Sequence, residues 1–312
     1  MDKRLLIVFG VTGNQGGSVA NFVLDDPDLS MRYTVRGITR SPSSPKAQNL
    51  RDKGAEIVQG DLDDPSSLKS ALANAHTVFA LTNTQDSGNT VAIEMTQAKV
   101  LCSELLQAKV NFVIWSSLPY AREISKGELD VKHFDVKAEI EQYIRNLPIK
   151  SSFFTPAYFM QNLINFRMAP RSSPTEDETY VISNCCNQDT LMPLIDVTDT
   201  GKWVGAMLAE PEQHEGKAIA AGENLYTWAE IAKIFSQVSG KDVRFQHISD
   251  EAFRSNLPEG LRDDLLDMYQ LFRDYGYYGM TMKDDVAWGA KQAKGRLTSL
   301  EEVLKRESLN LD

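Results

Sequence analysis

An apolar run that stops at a glycine constrains this chain more than any other feature. Leu5-Leu6-Ile7-Val8-Phe9 is followed by Gly10-Val11-Thr12-Gly13-Asn14-Gln15-Gly16-Gly17-Ser18. A continuous run of this kind suits a strand buried on both faces, as in a parallel sheet covered by helices on each side. A helical stretch, Gln15–Leu24, begins inside the glycine segment, so the order is strand, tight turn, helix. Gly10 permits the turn. Gly13 lets backbone approach a pyrophosphate, and Gly16 lets the helix pack close to the strand. The helix N-terminus then faces the phosphate charge. Glycine spacing alone is weak evidence. Placed after the first strand and at the head of a helix, it predicts a dinucleotide cradle made by Gly10, Thr12, Gly13, Asn14, Gln15 and Gly16.

The same rhythm continues to residue 155. Strands are expected at Arg4–Phe9, Tyr33–Thr39, Ala55–Gln59, Thr77–Leu81, Asn111–Trp115 and Ser152–Thr155. Helices are expected at Pro42–Lys53, Pro65–Ala73, Val91–Ala108 and His133–Arg145. Such alternation predicts an α/β fold, a doubly wound parallel sheet of the Rossmann type. Beyond Pro156 the alternation breaks. Residues 169–189 read as loop with one short strand, and Val243–Gln246 as another strand. Asp196–Ala209, Tyr226–Ser239, Asp250–Asp274 and Thr298–Lys305 read as helices. The expected division is therefore 1–155, a nucleotide-binding domain, and 156–312, a smaller and mainly helical lobe packed on it, with some chain returning to the sheet. A length of 312 residues suits this plan.

The second strand decides between the two nicotinamide dinucleotides. An acid at its tip would hold a free ribose 2′-hydroxyl, but the tip reads Gly37-Ile38-Thr39-Arg40-Ser41. A guanidinium there suits a 2′-phosphate, so Arg40 favours NADP(H). Ligands of such sheets lie at the carboxyl ends of strands. That places Asp61 and Leu62 against the adenine, and Thr82 and Asn83 along the pyrophosphate and ribose.

Composition narrows the remaining classes. Lys plus Arg is 33 and Asp plus Glu is 43, a net charge of −10, with an isoelectric point near 5.0. That balance argues against a nucleic-acid surface and against docking on anionic lipid. No apolar window approaches the roughly 18 residues of a membrane span. The opening apolar run is too short for a signal-peptide core. Cys102, Cys185 and Cys186 are odd in number and lack metal-ligand spacing. The expected setting is the cytoplasm, with the nucleus open as a second.

Several stretches together resemble the NmrA-like family, an atypical branch of the short-chain dehydrogenase/reductase superfamily. They are Val8-Phe9-Gly10-Val11-Thr12-Gly13-Asn14-Gln15-Gly16-Gly17-Ser18-Val19-Ala20, Gly54-Ala55-Glu56-Ile57-Val58-Gln59-Gly60-Asp61, and His133-Phe134-Asp135-Val136-Lys137-Ala138-Glu139. Tyr158-Phe159-Met160-Gln161-Asn162-Leu163 is similar to the family segment at the nicotinamide end, which implies cofactor contacts from Tyr158, Phe159 and Asn162. Thr298-Ser299-Leu300-Glu301 resembles the family's last helix. The resemblance is closer to NADPH-sensor members than to the fungal regulator that names the family.

The superfamily's usual Tyr-x-x-x-Lys puts both side chains on one helical face. Here His133 stands at the tyrosine position and Lys137 is retained. Lys137 would hold the nicotinamide ribose or act as general acid/base, and His133 would relay a proton. Against this, Lys137 also has the spacing of a surface pair with Glu141, and His133 that of an idle helix-start residue. Ser116, Ser117, Tyr120 and Tyr158 are further candidates near the sheet edge. Tyr269, Tyr275, Tyr277 and Tyr278 read as core or as pocket lining. Two functions follow. One is an NADPH-dependent oxidoreductase that reduces a small carbonyl, imine or enone. The other is a non-enzymatic NADPH/NADP+ redox sensor that regulates a partner protein. A homodimer through the acidic aromatic helices stays open.

Overall fold

The computed structural model describes residues 3–84, 90–165, 169–172, 179–307, 309 and 311. The strands are β1 Arg4–Phe9, β2 Tyr33–Thr39, β3 Glu56–Gln59, β4 Thr77–Ala80, β5 Phe112–Ser116, β6 Lys150–Pro156, β7 Tyr158–Phe159, β8 Arg171–Ser172, β9 Thr179–Asn184, β10 Leu191–Ile195, β11 Ala218–Ala221, β12 Asn224–Thr227 and β13 Asp242–His247. Seven of them form one sheet in the order β11-β6-β5-β4-β1-β2-β3. Every neighbouring pair in it is parallel.

The apolar run of β1 explains the layering. Leu6 and Val8 join a core with Val19, Val23, Trp203 and Met207 on one face. Ile7 and Phe9 join another with Leu101, Leu105, Val136 and Ile140 on the opposite face. Side chains alternate along a strand, so a strand covered on both sides is apolar throughout. A third core, around Trp228, Phe235, Tyr269 and Phe272, belongs to the helical C-terminal region. The chain is thus the doubly wound sheet with a smaller helical lobe that its sequence predicts.

Five features differ from that reading. β11, drawn from far along the chain, completes the sheet beside β6. The stretch 169–189 carries β8 and β9, with residues 173–178 outside the described set. β12-β10-β7 and β13-β9-β8 make two small three-stranded sheets. The expected helix Asp250–Asp274 is broken into Asp250–Ser255, a short 3-10 turn Glu259–Leu261, and Arg262–Asp274. Pro258 lies at the break, where it has no N–H to continue the helix. A helix at Met282–Gln292, not expected from the sequence, packs on β11. Among the described residues, no helix is long and apolar enough to cross a membrane.

One tie lies within the lobe, and a second joins the lobe to the sheet domain. Asp196, fully buried, accepts from Arg306, Gln161 and Thr198. Burial works against its charge, yet these donors hold its pKa below the ordinary value. The helix Thr200–Ala209 also packs on the helix Asn14–Asp25 through glycine. A methyl on Gly201 would lie 2.4 Å from Phe22 Cβ and 2.6 Å from the Ser18 carbonyl oxygen. Gly201→Ala should therefore cost about 1–3 kcal/mol by overpacking. Urea unfolding should show a lower midpoint with an unchanged slope; an unchanged midpoint would mean the two helices can part without loss.

Candidate functional site

A cleft of about 580 Å³ opens at the carboxyl ends of β1, β2, β3 and β4. The strand order reverses between β1 and β4, and a crevice forms at such a switch point. Its floor is the glycine turn. Gly10 has φ +61, a left-handed conformation that glycine adopts without strain. The Gly13 N–H donates to the Gly10 carbonyl at 2.8 Å. A methyl on Gly16 would lie 2.4 Å from that carbonyl oxygen and 2.5 Å from that of Phe9. No side chain caps the helix that starts at Asn14. Its first N–H groups thus have no side-chain acceptor and form a ready anion site.

The turn is braced against β2. Thr12 Oγ1 and Thr39 Oγ1 are 2.9 Å apart, and the Val11 N–H donates to the Ile38 carbonyl at 3.2 Å. This positions Arg40, which is exposed and lines the cleft. Its guanidinium makes no hydrogen bond or ion pair with any described residue. Asp61, Leu62, Thr82 and Asn83 line the same cleft, as do Asn14, Gln15 and Phe159. Gln15 is itself held by Ser116, whose Oγ donates to Gln15 Oε1 at 2.8 Å.

Lys137, His133, Tyr158 and Asn162 stand apart from that lining. Lys137 is buried, and its Nζ donates to the Thr82 carbonyl at 2.6 Å and to Thr82 Oγ1 at 2.9 Å. It also ion-pairs with Glu94, a fully buried carboxylate that accepts from Thr82 Oγ1 and, at 2.7 Å, from Thr90 Oγ1. Burial pushes the Lys137 pKa down, and Glu94 opposes that shift. The surface pair with Glu141 is not formed, since Glu141 accepts from Arg145 instead. His133 Nδ1 is engaged by Asp264, which also accepts from the Lys132 N–H. The histidine thereby pins the start of its helix to the lobe. The Tyr158 hydroxyl lies 2.7 Å from that of Tyr269. Burial pushes its pKa up to about 12, against the lowering effect of its hydrogen bonds with Tyr269 and Asn162. Ser117 Oγ donates to the Lys137 carbonyl at 3.4 Å. Tyr277 and Tyr278 donate to the Pro156 and Thr155 carbonyls. Cys185 and Cys186 are buried free thiols.

Sequence reasoning missed Val197, Gln97 and Glu94. Val197 enters the cleft from a 3-10 turn of the lobe, and Gln97 from the helix Thr90–Gln107. No local pattern marks either. Glu94 did carry a signal: it shares a helical stripe with Ala98 and Leu101, both buried, and a lone acid there needs an internal counter-charge.

A parallel doubly wound sheet with a glycine-floored cleft at its switch point defines a Rossmann-type fold. The NmrA-like family profile matches residues 2–304, and the chain belongs to that family. It is 30% identical over 279 residues to the NmrA-like family domain-containing oxidoreductase lnaB of Aspergillus flavus, covering 84% of this chain and 81% of that one. The negative transcriptional regulator NmrA, solved in complex with NADP, shares its fold with a TM-score of 0.80 at 20% identity, covering 99% of this chain and 96% of that one. The Citrobacter sp. triphenylmethane reductase, complexed with NADP(H), gives 0.75 at 23% identity, covering 97% and 99%.

Glu94→Gln tests the buried pair. It leaves the Lys137 charge without a counter-charge and should cost about 3–5 kcal/mol. In the variant the folded lysine loses its proton before the unfolded one does. Stability therefore rises with pH in the window below 10.5, the ordinary lysine value, and the deficit shrinks there. Urea unfolding at neutral and alkaline pH checks this; an equal deficit at both would mean that Lys137 carries no stranded charge.

Proposed function

We propose that the cleft binds NADP(H) and that the protein is an NADPH-dependent reductase of a small carbonyl, imine or enone. The observation that carries the cofactor choice is Arg40. It is a cation at the tip of β2, inside the cleft, with no partner among the described residues. A guanidinium there pairs with a 2′-phosphate through charge-assisted hydrogen bonds. The residues around it fit the rest of the group. Gly16 seats the helix start against the carbonyls of Phe9 and Gly10, and that uncapped helix start supplies N–H donors for a pyrophosphate. Asp61 and Leu62 would meet the adenine, with Thr82 and Asn83 along the ribose and Phe159 at the nicotinamide end. The bound cofactor supplies the hydride, and the protein supplies orientation. Lys137 acts through Thr82: its Nζ fixes both the carbonyl and the hydroxyl of that residue, and so holds the segment after β4 against the cleft. The names of relatives, lnaB among them, support the oxidoreductase reading.

One observation favours a second reading, an NADPH/NADP+ sensor acting on a partner protein. Lys137, His133 and Tyr158, the side chains suited to give a proton, lie outside the cleft lining and are each held by protein groups: Lys137 by Glu94 and by Thr82 of the lining, His133 by Asp264, and Tyr158 by Tyr269. Sensing requires that the partner prefer one cofactor state over the other.

Titration of bound-cofactor fluorescence separates the cases. Arg40→Ala should weaken NADPH about 10- to 100-fold and leave NADH unmoved, as loss of hydrogen bonds to a charged group implies. Equal losses for both would remove Arg40 from the 2′-phosphate. Loss of NADPH absorbance with a panel of carbonyl, imine and enone compounds then tests turnover. Absence of turnover, with partner affinity that changes between NADPH and NADP+, would establish the sensor instead.

A further inference from the structure

We propose that a second cavity, at the opposite end of the sheet from Arg40, binds a small organic cation: a protonated or quaternary nitrogen on an apolar body. The cavity measures about 740 Å³, lies over Thr155 of β6 and Ala218 and Ala220 of β11, and shares no lining residue with the nucleotide cleft. That volume is within the range of about 300–1,000 Å³ typical of small-molecule sites.

Its walls combine aromatic rings with carboxylates. Tyr120, Tyr275, Tyr278 and Trp288 supply the rings. Glu123, Glu141, Asp274 and Asp285 supply the acids, against one ammonium, Lys126. Glu141 is held by Arg145 and Asp274 by Arg273. Glu123 and Asp285 have no cationic partner among the described residues; Asp285 accepts from Thr281 Oγ1 at 2.6 Å. Burial first, then Glu139 and Asp135 beyond the cavity wall, push the Tyr120 phenol pKa upward; Arg122 opposes them and Glu123 of the wall adds to the rise.

The mouth is unusually apolar. Met280 is 102% exposed on a turn between Gly276 and Thr281, and Trp288 is 40% exposed beside it. Two large apolar side chains at one cavity form a patch, where isolated ones would mean little. An anion would be repelled here. A neutral apolar ligand would desolvate Glu123 and Asp285 without offering them a partner. A cation with an apolar body covers Met280 and Trp288, stacks on aromatic faces and offsets the two free carboxylates.

Trp288 provides the readout. Trp115, Trp203 and Trp228 are fully buried, so acrylamide quenching of tryptophan fluorescence reports on Trp288. Benzyltrimethylammonium chloride should protect Trp288 saturably, whereas benzenesulfonate and benzyl alcohol at equal concentration should not. Glu123→Gln with Asp285→Asn should weaken that protection about three- to tenfold, the scale of two exposed charge contacts. Glu123→Gln alone, at an exposed carboxylate, keeps the test independent of the helix that Asp285 helps begin. Matching protection by benzyl alcohol, no protection by any probe, or unchanged affinity in the variants overturns the proposal. None of these readings depends on NADP(H).

Discussion

The contact on which the rest depends is the one between Gly16 and the carbonyl oxygens of Phe9 and Gly10. A single added carbon would come within 2.5 Å of both. Because nothing separates helix from strand there, the helix start points into the cleft, and its N–H groups stay free of side-chain caps. The same turn places Thr12 against Thr39, which in turn sets where Arg40 emerges. Phosphate cradle and guanidinium are therefore two ends of one rigid construction, anchored in a strand covered on both faces.

The second organising element is electrostatic. Lys137 and Glu94 are both buried, and neither could be tolerated alone in that interior. Together, with Thr82 and Thr90 satisfying remaining bonds, they bind the helix Lys132–Arg145 to the helix Thr90–Gln107 across the end of β4. A lysine whose sequence position suggests chemistry is thus also a fastening. It touches the cleft through one threonine.

Much of this was legible in the sequence, for a local reason. The six strands β1 to β6, the glycine turn and the basic tip of β2 are each written in a few consecutive residues, where burial and backbone freedom leave a pattern. What was hidden depends on partners distant in the chain. β11 has an unremarkable sequence, Ala-Ile-Ala-Ala, and becomes a strand only because β6 offers it an edge. The engagement of Tyr158 by Tyr269 and of His133 by Asp264 pairs residues 111 and 131 positions apart. No spacing rule anticipates such pairings. Pro258 was the exception: its break in the helix was readable, and the aromatic periodicity around it hid it.

The helix Met282–Gln292 has a consequence beyond packing. On β11 the Ala221 carbonyl accepts from Ala157 on the β6 side, so that of Ala220 points to the strand's other edge, where it accepts from the Gly222 N–H at 3.2 Å. Gly289 lies against that oxygen so closely that a methyl there would be 2.0 Å away. An open strand edge is a template for pairing with another chain, and a helix laid on it closes the template. The cover comes from the last tenth of the chain, more than sixty residues beyond the strand it protects, so the edge of the sheet is guarded by a segment remote from it in sequence.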